Sequence, residues 1–294
     1  MKWKMKCLAL YALAYIPYSV QVHRWLQRKV TNRYLDDMSD DVLAVYSYHV
    51  QNFLKLPAPE RSSALEFGAG RNLVTALLLS AAGAREVFAY DIARLATVEQ
   101  INHVIRQLRA RHVHRTHGDW LEIENIDADL RRYYRINYRS PGDARDTKLS
   151  TGSIDFVCST STLEHICRDD LVAILAECRR ICSPTALMSF IIDYHDHYAS
   201  ADPAITRFNF YRYPQSTWVW FNPPNHFQNR MRHCDYEQIF ESCGLAALEK
   251  RSIIPPHSER SLQDMPLSAE FSHYSLEDLA ALNGFFLLQA TGET

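Results

Sequence analysis

The sequence predicts an α/β fold in which a mostly parallel, seven-stranded sheet carries helices on both faces. Two observations predict it. Apolar strand patterns alternate with helical patterns from about residue 63 onward, and such alternation is typical of a parallel sheet. The nine glycines of the chain fall almost entirely at the predicted turns between those elements, where the backbone needs their conformational freedom.

Helices are predicted to precede the sheet. Two of them are expected over Lys4–Tyr15 and Pro17–Arg33, since proline suits the first turn of a helix. Ser39 is expected to cap a third helix that runs to about Leu56. Two acids in the first turn of that helix are favourable at the positive end of the helix dipole.

Pro57 and Pro59 end the third helix and mark the boundary between an N-terminal helical cap, residues 1–58, and a domain of residues 59–294. The segment His112–Arg132 fits no standard element and is interpreted as a loop or short helix. The predicted strands are Ser63–Phe67, Glu86–Tyr90, Tyr134–Tyr138, Ile154–Ser159 and Ala186–Ile192, with Leu248–Ile253 and Phe285–Ala290 as a late pair. The predicted helices are Leu73–Ala82, Thr97–Arg111, Arg168–Ile181, Asp235–Cys243 and Leu276–Leu282.

The stretch from Ala64 to Asn72 is an apolar strand that ends in an acid, followed by a Gly-x-Gly turn and the start of a helix. Glycines at such a turn let backbone N–H groups approach a bound nucleotide that a side chain would keep away. Asn72 stands where a dinucleotide site has its third glycine, and Glu66 would repel a pyrophosphate but hold an ammonium group. The loop therefore favours a nucleotide cofactor with a cationic end.

These residues resemble the first motif of the class I, Rossmann-like methyltransferases that use S-adenosylmethionine. The resemblance continues with Asp91 after the second strand, with Pro141–Ala144, and with Gly152–Ile166, which is similar to the fourth strand and Leu-Glu-His turn of the type 11 branch. It implies S-adenosylmethionine as cofactor and S-adenosylhomocysteine as product, with Asp91 on the ribose hydroxyls and Asp143 on the adenine amino group. It also implies that the last strand inserts antiparallel beside the fifth. The implied cofactor contacts are Glu66, Gly68, Ala69, Gly70, Asp91, Ile92, Asp143, Ala144 and Ser159.

A long aromatic segment follows the fifth strand, at the edge where open α/β sheets bind ligands. Aromatic, amide and guanidinium groups can enclose a polar substrate, so residues 193–234 are interpreted as an inserted lid. A satellite core that only holds the loop down is the alternative. The segment also resembles, at Asp193-x-x-Asp196-His197-Tyr198, a branch of these methyltransferases found among bacterial biosynthetic and cell-surface-sugar genes. The predicted substrate contacts are His195, Tyr198, Asn222, Gln228, Arg230 and Arg232.

Two histidines are candidates for the proton acceptor that an oxygen or nitrogen nucleophile needs. His165 lies just past the fourth strand, next to where the family places the methyl group, and His197 has Asp193 and Asp196 nearby to orient it. Both have alternatives: His165 as a packing residue, and the acids with the histidines as a metal site. The predicted catalytic residues are His165, His197 and Asp193, and no metal is predicted.

Composition limits the partners and the compartment. A net charge of −2 and a pI of about 6.7 give no general attraction for nucleic acid. Seven cysteines without a Cys-x-x-Cys pair are typical of a reducing compartment, and the apolar run Cys7–Ile16 is too short to span a bilayer. We expect a cytoplasmic protein without stable membrane insertion, whose first helix docks on the protein. A membrane-surface anchor and a homodimer interface are the alternatives for the N-terminal helices.

The predicted function is transfer of a methyl group from S-adenosylmethionine to an oxygen or nitrogen atom of a small metabolite, in a biosynthetic pathway. A cofactor-binding but catalytically silent scaffold is the first alternative, because its cofactor motifs would look the same. An NAD-dependent oxidoreductase is the second, and Glu66, Asn72 and the Leu-Glu-His turn disfavour it.

Overall fold

The computed structural model describes residues 2–14, 38–263 and 265–291. Within them, one sheet of seven strands is flanked by helices, and the predicted helix Pro17–Arg33 lies outside them. The strands are β1 (Ser63–Phe67), β2 (Glu86–Tyr90), β3 (Ile136–Arg139), β4 (Ile154–Thr160), β5 (Cys182–Asp193), β6 (Leu245–Ile253) and β7 (Asn283–Ala290). The α-helices are α1 (Lys2–Ala14), α2 (Asp40–Phe53), α3 (Val74–Ala81), α4 (Val98–Ala110), α5 (Ile126–Tyr134), α6 (Arg168–Ile181), α7 (Gln215–Trp218), α8 (His233–Ser242), α9 (Ser258–Gln263) and α10 (Leu276–Ala280).

Most predicted elements are present, and β1, β2 and α6 have the predicted bounds. The third strand differs, because helix α5 continues through Tyr134 and ends at Arg135, which is left-handed with φ 55°. The side chain of Asn125 caps α5 by accepting a hydrogen bond from the Ala128 N–H. The segment interpreted as a loop or short helix thus leads into a nine-residue helix, and β3 begins only at Ile136.

The strand order is β3-β2-β1-β4-β5-β7-β6. Pairing is parallel from β3 to β5, and β7 is antiparallel to both β5 and β6. This confirms the mostly parallel sheet and the antiparallel last strand beside the fifth. β5 begins at Cys182, four residues before the predicted start; Pro184 falls where its pairing with β4 shifts register.

Helix α2 packs directly on the sheet. Its cap is the predicted one, since the Ser39 hydroxyl accepts a hydrogen bond from the first turn. Phe53 packs edge-on against Phe156 of β4, and the buried His49 ring is hydrogen-bonded to Ser189 of β5 at 2.8 Å. The third predicted helix therefore belongs to the core of the sheet, while the division of the chain at residue 58 stays a prediction.

The lid after β5 is made of short helices and turns, and its 3₁₀ turns are Asn209–Arg212, Val219–Phe221 and Pro224–His226. Its buried aromatic side chains pack with Trp3, Cys7 and Leu10 of α1 in a hydrophobic cluster distinct from the two that contain the sheet. Helix α1 therefore docks on the lid. None of the helices in the described ranges is long and apolar enough to cross a membrane.

Candidate active site

A cleft of about 740 Å³ opens where β1, β2 and β4 end. From β1 to β3 the strands are added towards one edge of the sheet, and from β4 onward towards the other. Ligands bind in the crevice outside the carboxyl ends of the strands where this direction changes, here between β1 and β4. The volume suits a cofactor together with a small acceptor. Residues of the glycine loop, the turn after β2, the loop before β4, the turn after β4 and the lid line it, including Gly68, Gly70, Asp91, Ile92, Asp143, Ala144, His165, Asn222, Pro224 and Phe227.

Where glycines line the cleft, only backbone atoms form its floor. Gly68 has φ +70°, and a Cβ there would lie 2.3 Å from side-chain atoms of Thr162. A Cβ on Gly142 would lie 2.5 Å from the Arg139 carbonyl oxygen. Side chains at these positions have no space, so a ligand in the cleft can approach the backbone closely, as the sequence predicts.

Asp91 is fixed at the edge of the glycine loop. One carboxylate oxygen accepts a hydrogen bond from the Gly70 N–H at 2.8 Å, and the other accepts one from the Ala93 N–H at 3.0 Å. Burial raises the pKa of the carboxyl above its ordinary value, although both hydrogen bonds favour the charged form. Each oxygen keeps a lone pair, so the group can still accept two hydroxyl donors.

Three of the predicted cofactor residues lie outside the cleft lining. Glu66 is 3% exposed, one of its oxygens accepts a hydrogen bond from the Ala76 N–H at 3.1 Å, and burial raises its pKa to about 8. The Ala69 N–H donates to the last carbonyl of β2, and the Ser159 hydroxyl donates to the last carbonyl of β1. These bonds hold the loop against the strand ends.

The far end of the cleft combines a carboxylate with an apolar surface. The Asp143 carboxylate accepts hydrogen bonds from the side chain of Arg145, which also reaches Asp170 at 2.5 Å. The bonds from Arg145 hold the pKa of Asp143 below its ordinary value. Ile92 is 68% exposed and lines the same cleft as Ala144, so both contribute apolar surface to it.

His165 faces the cleft from the turn after β4, and the lid fixes its orientation. Its Nδ1 lies 2.7 Å from the Phe227 carbonyl oxygen, and burial lowers the pKa of the ring. The Asn229 side chain donates to the carbonyls of Leu163 and Ile166, at 2.9 Å each. Lid and histidine turn therefore form one hydrogen-bonded unit.

The structure brings the three predicted catalytic residues together. The ring of His197 lies 4.9 Å from that of His165, centroid to centroid, and its Nε2 lies 3.6 Å from an Asp193 oxygen. The other oxygen of Asp193 is hydrogen-bonded to His195 Nδ1. Burial alone would raise the pKa of Asp193, but the two histidines outweigh it and hold the pKa below its ordinary value.

Glu164 sits beneath this cluster and is fully buried. Neither carboxylate oxygen has a partner of hydrogen-bonding geometry among the described residues. Burial, and then the charge of Asp193, raise its pKa well above the ordinary value, so the neutral form of the group is favoured. Metal-donor atoms of Glu164, His165 and His197 lie within 4.8 Å of one another, as do those of Asp193, His195 and His197. The absence of a metal stays a prediction.

All six predicted substrate contacts lie within the described ranges, and only Asn222 among them lines the cleft. It also closes the lid, because its side chain exchanges two hydrogen bonds with the Gln228 backbone. The Gln228 side chain in turn donates to the His195 carbonyl at 2.6 Å, and the Tyr198 hydroxyl donates to the Phe221 carbonyl at 2.8 Å.

The two predicted arginine clamps lie outside the cleft lining, and both cap backbone carbonyls. Arg230 donates to the carbonyls of Phe210 and Tyr213 and pairs with Glu270. Arg232, near the C-terminal end of the lid, is fully buried. It donates to the carbonyl of residue 194, just after β5, at 3.2 Å and to that of residue 281, just before β7, at 3.0 Å. In this arrangement the two guanidinium groups hold the lid in place.

Three contributors to the site went unrecognised in the sequence. Phe227 acts through its backbone carbonyl, which any residue could supply. Thr162 matters because it fills the space beside Gly68, and Arg145 because it occupies the Asp143 carboxylate. For Arg145, the neighbouring acids in the sequence were a usable signal; for the other two no sequence signal exists.

Residues 65–190 match the family model described as a methyltransferase domain. The matched region holds the glycine loop, Asp91, Asp143 and His165, which are the residues that meet at the cleft. Residues 65–190 of the chain therefore form a methyltransferase domain. The methyltransferase is thus an enzyme that uses S-adenosylmethionine, in place of the NAD-dependent alternative.

The search of curated proteins gave no match. Solved structures similar to this chain include a Galdieria sulphuraria protein provisionally assigned as a sarcosine dimethylglycine methyltransferase, with 15% identity and a TM-score of 0.50 over 88% of this chain and 89% of that one. A Methanosarcina mazei S-adenosylmethionine-dependent methyltransferase is 13% identical, with a TM-score of 0.49 over 83% of this chain and 97% of that one. Geranyl diphosphate C-methyltransferase from Streptomyces coelicolor, solved with Mg²⁺, geranyl diphosphate and S-adenosylhomocysteine, is 9% identical, with a TM-score of 0.49 over 87% and 86%. At these identities the likeness concerns the fold alone.

Proposed function

We propose that this methyltransferase moves a methyl group to an oxygen or nitrogen atom of a small metabolite in a biosynthetic pathway, with His165 as the general base. The observation that carries the proposal is the hydrogen bond between His165 Nδ1 and the Phe227 carbonyl. A carbonyl oxygen can only accept, so Nδ1 keeps the proton and Nε2 keeps its lone pair. Because burial lowers the pKa of the ring, it is neutral at pH 7 and ready to take a proton.

Asp193 and His197 complete the proton-accepting group. As His165 takes a proton from the acceptor, positive charge develops on its ring. The charge of Asp193 favours the protonated form of His165, and His197 contacts both residues. We assign Asp193 to the stabilisation of that charge. His197 disfavours a second positive charge on His165, and we assign it to positioning the ring of His165 and the Asp193 carboxylate.

The cleft fits S-adenosylmethionine. The space filled by Thr162 leaves only backbone at Gly68, where a ligand can approach closely. When bound, the cofactor supplies an electrophilic methyl group on a sulfonium. Asp91 would hold the ribose hydroxyls and Asp143 the adenine amino group. Burial raises the pKa of Glu66, behind the loop, to about 8, and the positive charge of a bound ammonium group would favour its charged form.

The acceptor is proposed to enter from the lid side, where Asn222, Pro224 and Phe227 line the cleft. Asn222 is the polar contact we assign to it. The remaining predicted substrate residues have polar atoms bonded within the lid or its roots, which supports assigning them to the shape of the pocket: His195, Tyr198, Gln228, Arg230 and Arg232.

Calorimetry with S-adenosylhomocysteine, and with NAD as control, tests the cofactor. Release of S-adenosylhomocysteine in the presence of a panel of hydroxylated and amino metabolites then identifies the acceptor.

His165→Gln should keep cofactor affinity and lower kcat by about 10²–10⁴-fold, the usual contribution of a general base. His117→Gln, at an exposed histidine, is the matched control. In the wild-type enzyme, kcat/KM should decline towards acid pH with a midpoint below pH 6.5, because burial lowers the pKa of His165.

Nitrogen NMR of the histidine rings provides a test that needs no acceptor. His165 should appear as the Nδ1–H tautomer at neutral pH. An Nε2–H tautomer, or a His165→Gln enzyme with wild-type turnover, would remove His165 as the base while leaving the cofactor assignment intact.

A further inference from the structure

Two adjacent elements expose large apolar side chains on the outside of the lid. On α1, Met5 is 72% exposed and Leu8 69%; on the 3₁₀ turn beside it, Val219 is 51% exposed and Trp220 73%. The two elements are joined, because the Tyr11 hydroxyl donates to the Val219 carbonyl at 2.6 Å. We refer to Met5, Leu8, Val219 and Trp220 as the apolar patch. Contiguous exposed apolar patches on proteins mark sites of interaction with another molecule or a membrane.

Helix α1 is apolar on both sides. Trp3, Cys7 and Leu10 face the lid and are buried, and the opposite side carries Met5 and Leu8 with the small Ala9 and Ala12. A helix that packs on a protein with one side normally turns a polar side to water, whereas a helix that is apolar all round is covered all round. The outer side of α1 therefore calls for a covering surface.

Charge indicates what that surface is. Lys2, Lys4 and Lys6 flank the apolar side of α1 in the sequence. Residues 1–35 contain seven lysine and arginine residues and no aspartate or glutamate, although the whole chain carries −2. The remainder thus has an excess of acids, and the basic charge is concentrated in the segment that contains the patch. A basic segment with tryptophan and aliphatic residues is the composition that binds at an anionic bilayer surface.

We propose that the apolar patch docks on the surface of an anionic phospholipid bilayer, with the basic N-terminal segment beside the headgroups. The ammonium groups of Lys4 and Lys6 lie over the rings of Phe221 and Tyr198, at 5.4 and 5.6 Å, and add positive charge at the edge of the lid. Two other coverings are less favourable. A second copy would bring two basic N-terminal segments together, and residues 15–35 of the same chain carry four further basic residues and no acid. Anionic headgroups, in contrast, neutralise this charge while the tryptophan and aliphatic side chains enter the interface.

Docking would place the entrance of the active site close to the bilayer. Asn225, in the lid turn that contains Pro224, donates to the Leu10 carbonyl of α1 at 2.9 Å. Pro224 and Asn222 line the cleft only a few residues beyond Trp220. The inference does not depend on the identity of the acceptor, yet it adds membrane-associated acceptors to the molecules that can reach the enzyme.

Co-sedimentation of the full chain with vesicles tests the proposal. One set is pure phosphatidylcholine and the other contains phosphatidylglycerol. We expect binding to the second set only, weakening as ionic strength rises. Changing Lys2, Lys4 and Lys6 together to Gln should reduce partitioning by at least about tenfold, since each basic residue near an anionic surface contributes roughly fivefold. The double variant Trp220→Ser, Met5→Ser should also reduce partitioning onto the vesicles, even at low ionic strength.

Matched controls are Lys55→Gln and Leu248→Ser, an exposed lysine and a 51% exposed leucine outside the patch, which should bind like wild type. S-adenosylhomocysteine affinity, measured in parallel, confirms that every variant is folded. Equal pelleting with both vesicle sets, or none, would overturn the proposal. So would a Trp220→Ser, Met5→Ser protein that loses thermal stability or changes its oligomeric state without any change in vesicle binding, because the patch would then be covered by this chain or a second copy.

Discussion

The fit between Gly68 and Thr162 gives a sharp test of how the cofactor loop is built. A Cβ at position 68 would lie 2.3 Å from both Cγ2 and Oγ1 of Thr162 and 2.8 Å from its Cβ. Non-bonded carbon atoms pack at about 3.5–4.0 Å, so Gly68→Ala forces the glycine loop and the turn after β4 apart. Gly70 provides the matched control, because its φ is +69° and a Cβ there would have its nearest neighbour 4.0 Å away.

Both alanines carry the same backbone cost, which for a left-handed residue is about 1–2 kcal/mol. Only Gly68→Ala adds an overpacking cost, typically about 1–3 kcal/mol. We therefore expect the free energy of unfolding to fall by about 2–5 kcal/mol for Gly68→Ala and by about 1–2 kcal/mol for Gly70→Ala.

Urea denaturation measures both values, and calorimetry with S-adenosylhomocysteine separates stability from binding. Gly70→Ala should lose affinity while it stays folded, since Gly70 lines the cleft and its new methyl group would meet the ligand. Adding Thr162→Gly to Gly68→Ala removes all three clashing atoms. The double variant should then be less destabilised than the sum of the two single changes.

Equal losses of stability at positions 68 and 70 would refute this account, because the clash with Thr162 would then contribute nothing. Strict additivity of Gly68→Ala and Thr162→Gly would refute it independently, since the two side chains would not be competing for one space.

Three further predictions follow from buried groups. Asp91→Ala should weaken S-adenosylhomocysteine binding at least about 100-fold with the fold intact, because it removes the charged acceptor for the ribose; calorimetry and circular dichroism check this, and unchanged affinity would contradict it. The folded-state pKa of Glu66, about 8, lies above the ordinary 4.5, so its stabilising contribution is complete below pH 4.5 and is lost as pH rises through 8. Glu66→Gln should flatten that decline in urea unfolding, and parallel pH profiles would count against it. Arg232→Met should lower the free energy of unfolding by about 3 kcal/mol, because it leaves two buried carbonyls unpaired; wild-type denaturation would exclude its role in holding the lid.

The local sequence pattern was sufficient to predict the bounds of β1 and β2 but not the start of β3. β1 and β2 are short apolar runs that end at an acid or a turn, and no helical pattern competes with them. Around Tyr134, helix and strand patterns overlap in one continuous sequence. The boundary is decided at Arg135 by a left-handed backbone that ends α5, and an arginine gives no sign of that conformation in the sequence.

The part of the cleft lining at the ends of β1 and β2 was predictable because its residues directly follow those strands in the sequence. Gly68, Gly70 and Asp91 line the cleft as the motif order suggests. The acceptor side depends on contacts between distant segments. An arginine such as Arg232 can clamp an anion or cap carbonyls, and only its complete burial against the carbonyls of residues 194 and 281 distinguishes the two roles.

The anchoring of the lid has a consequence for how this enzyme can diverge. Arg232 lies near the C-terminal end of the lid, and its side chain bonds to residue 194 after β5 and to residue 281 before β7. One residue therefore fixes both ends of the lid beside the sheet. A loop held in this way can change in sequence and length over generations while the sheet and the methyl-donor cleft are inherited unchanged. New acceptors can then arise by mutation within residues 195–229, at little risk to the donor half of the reaction.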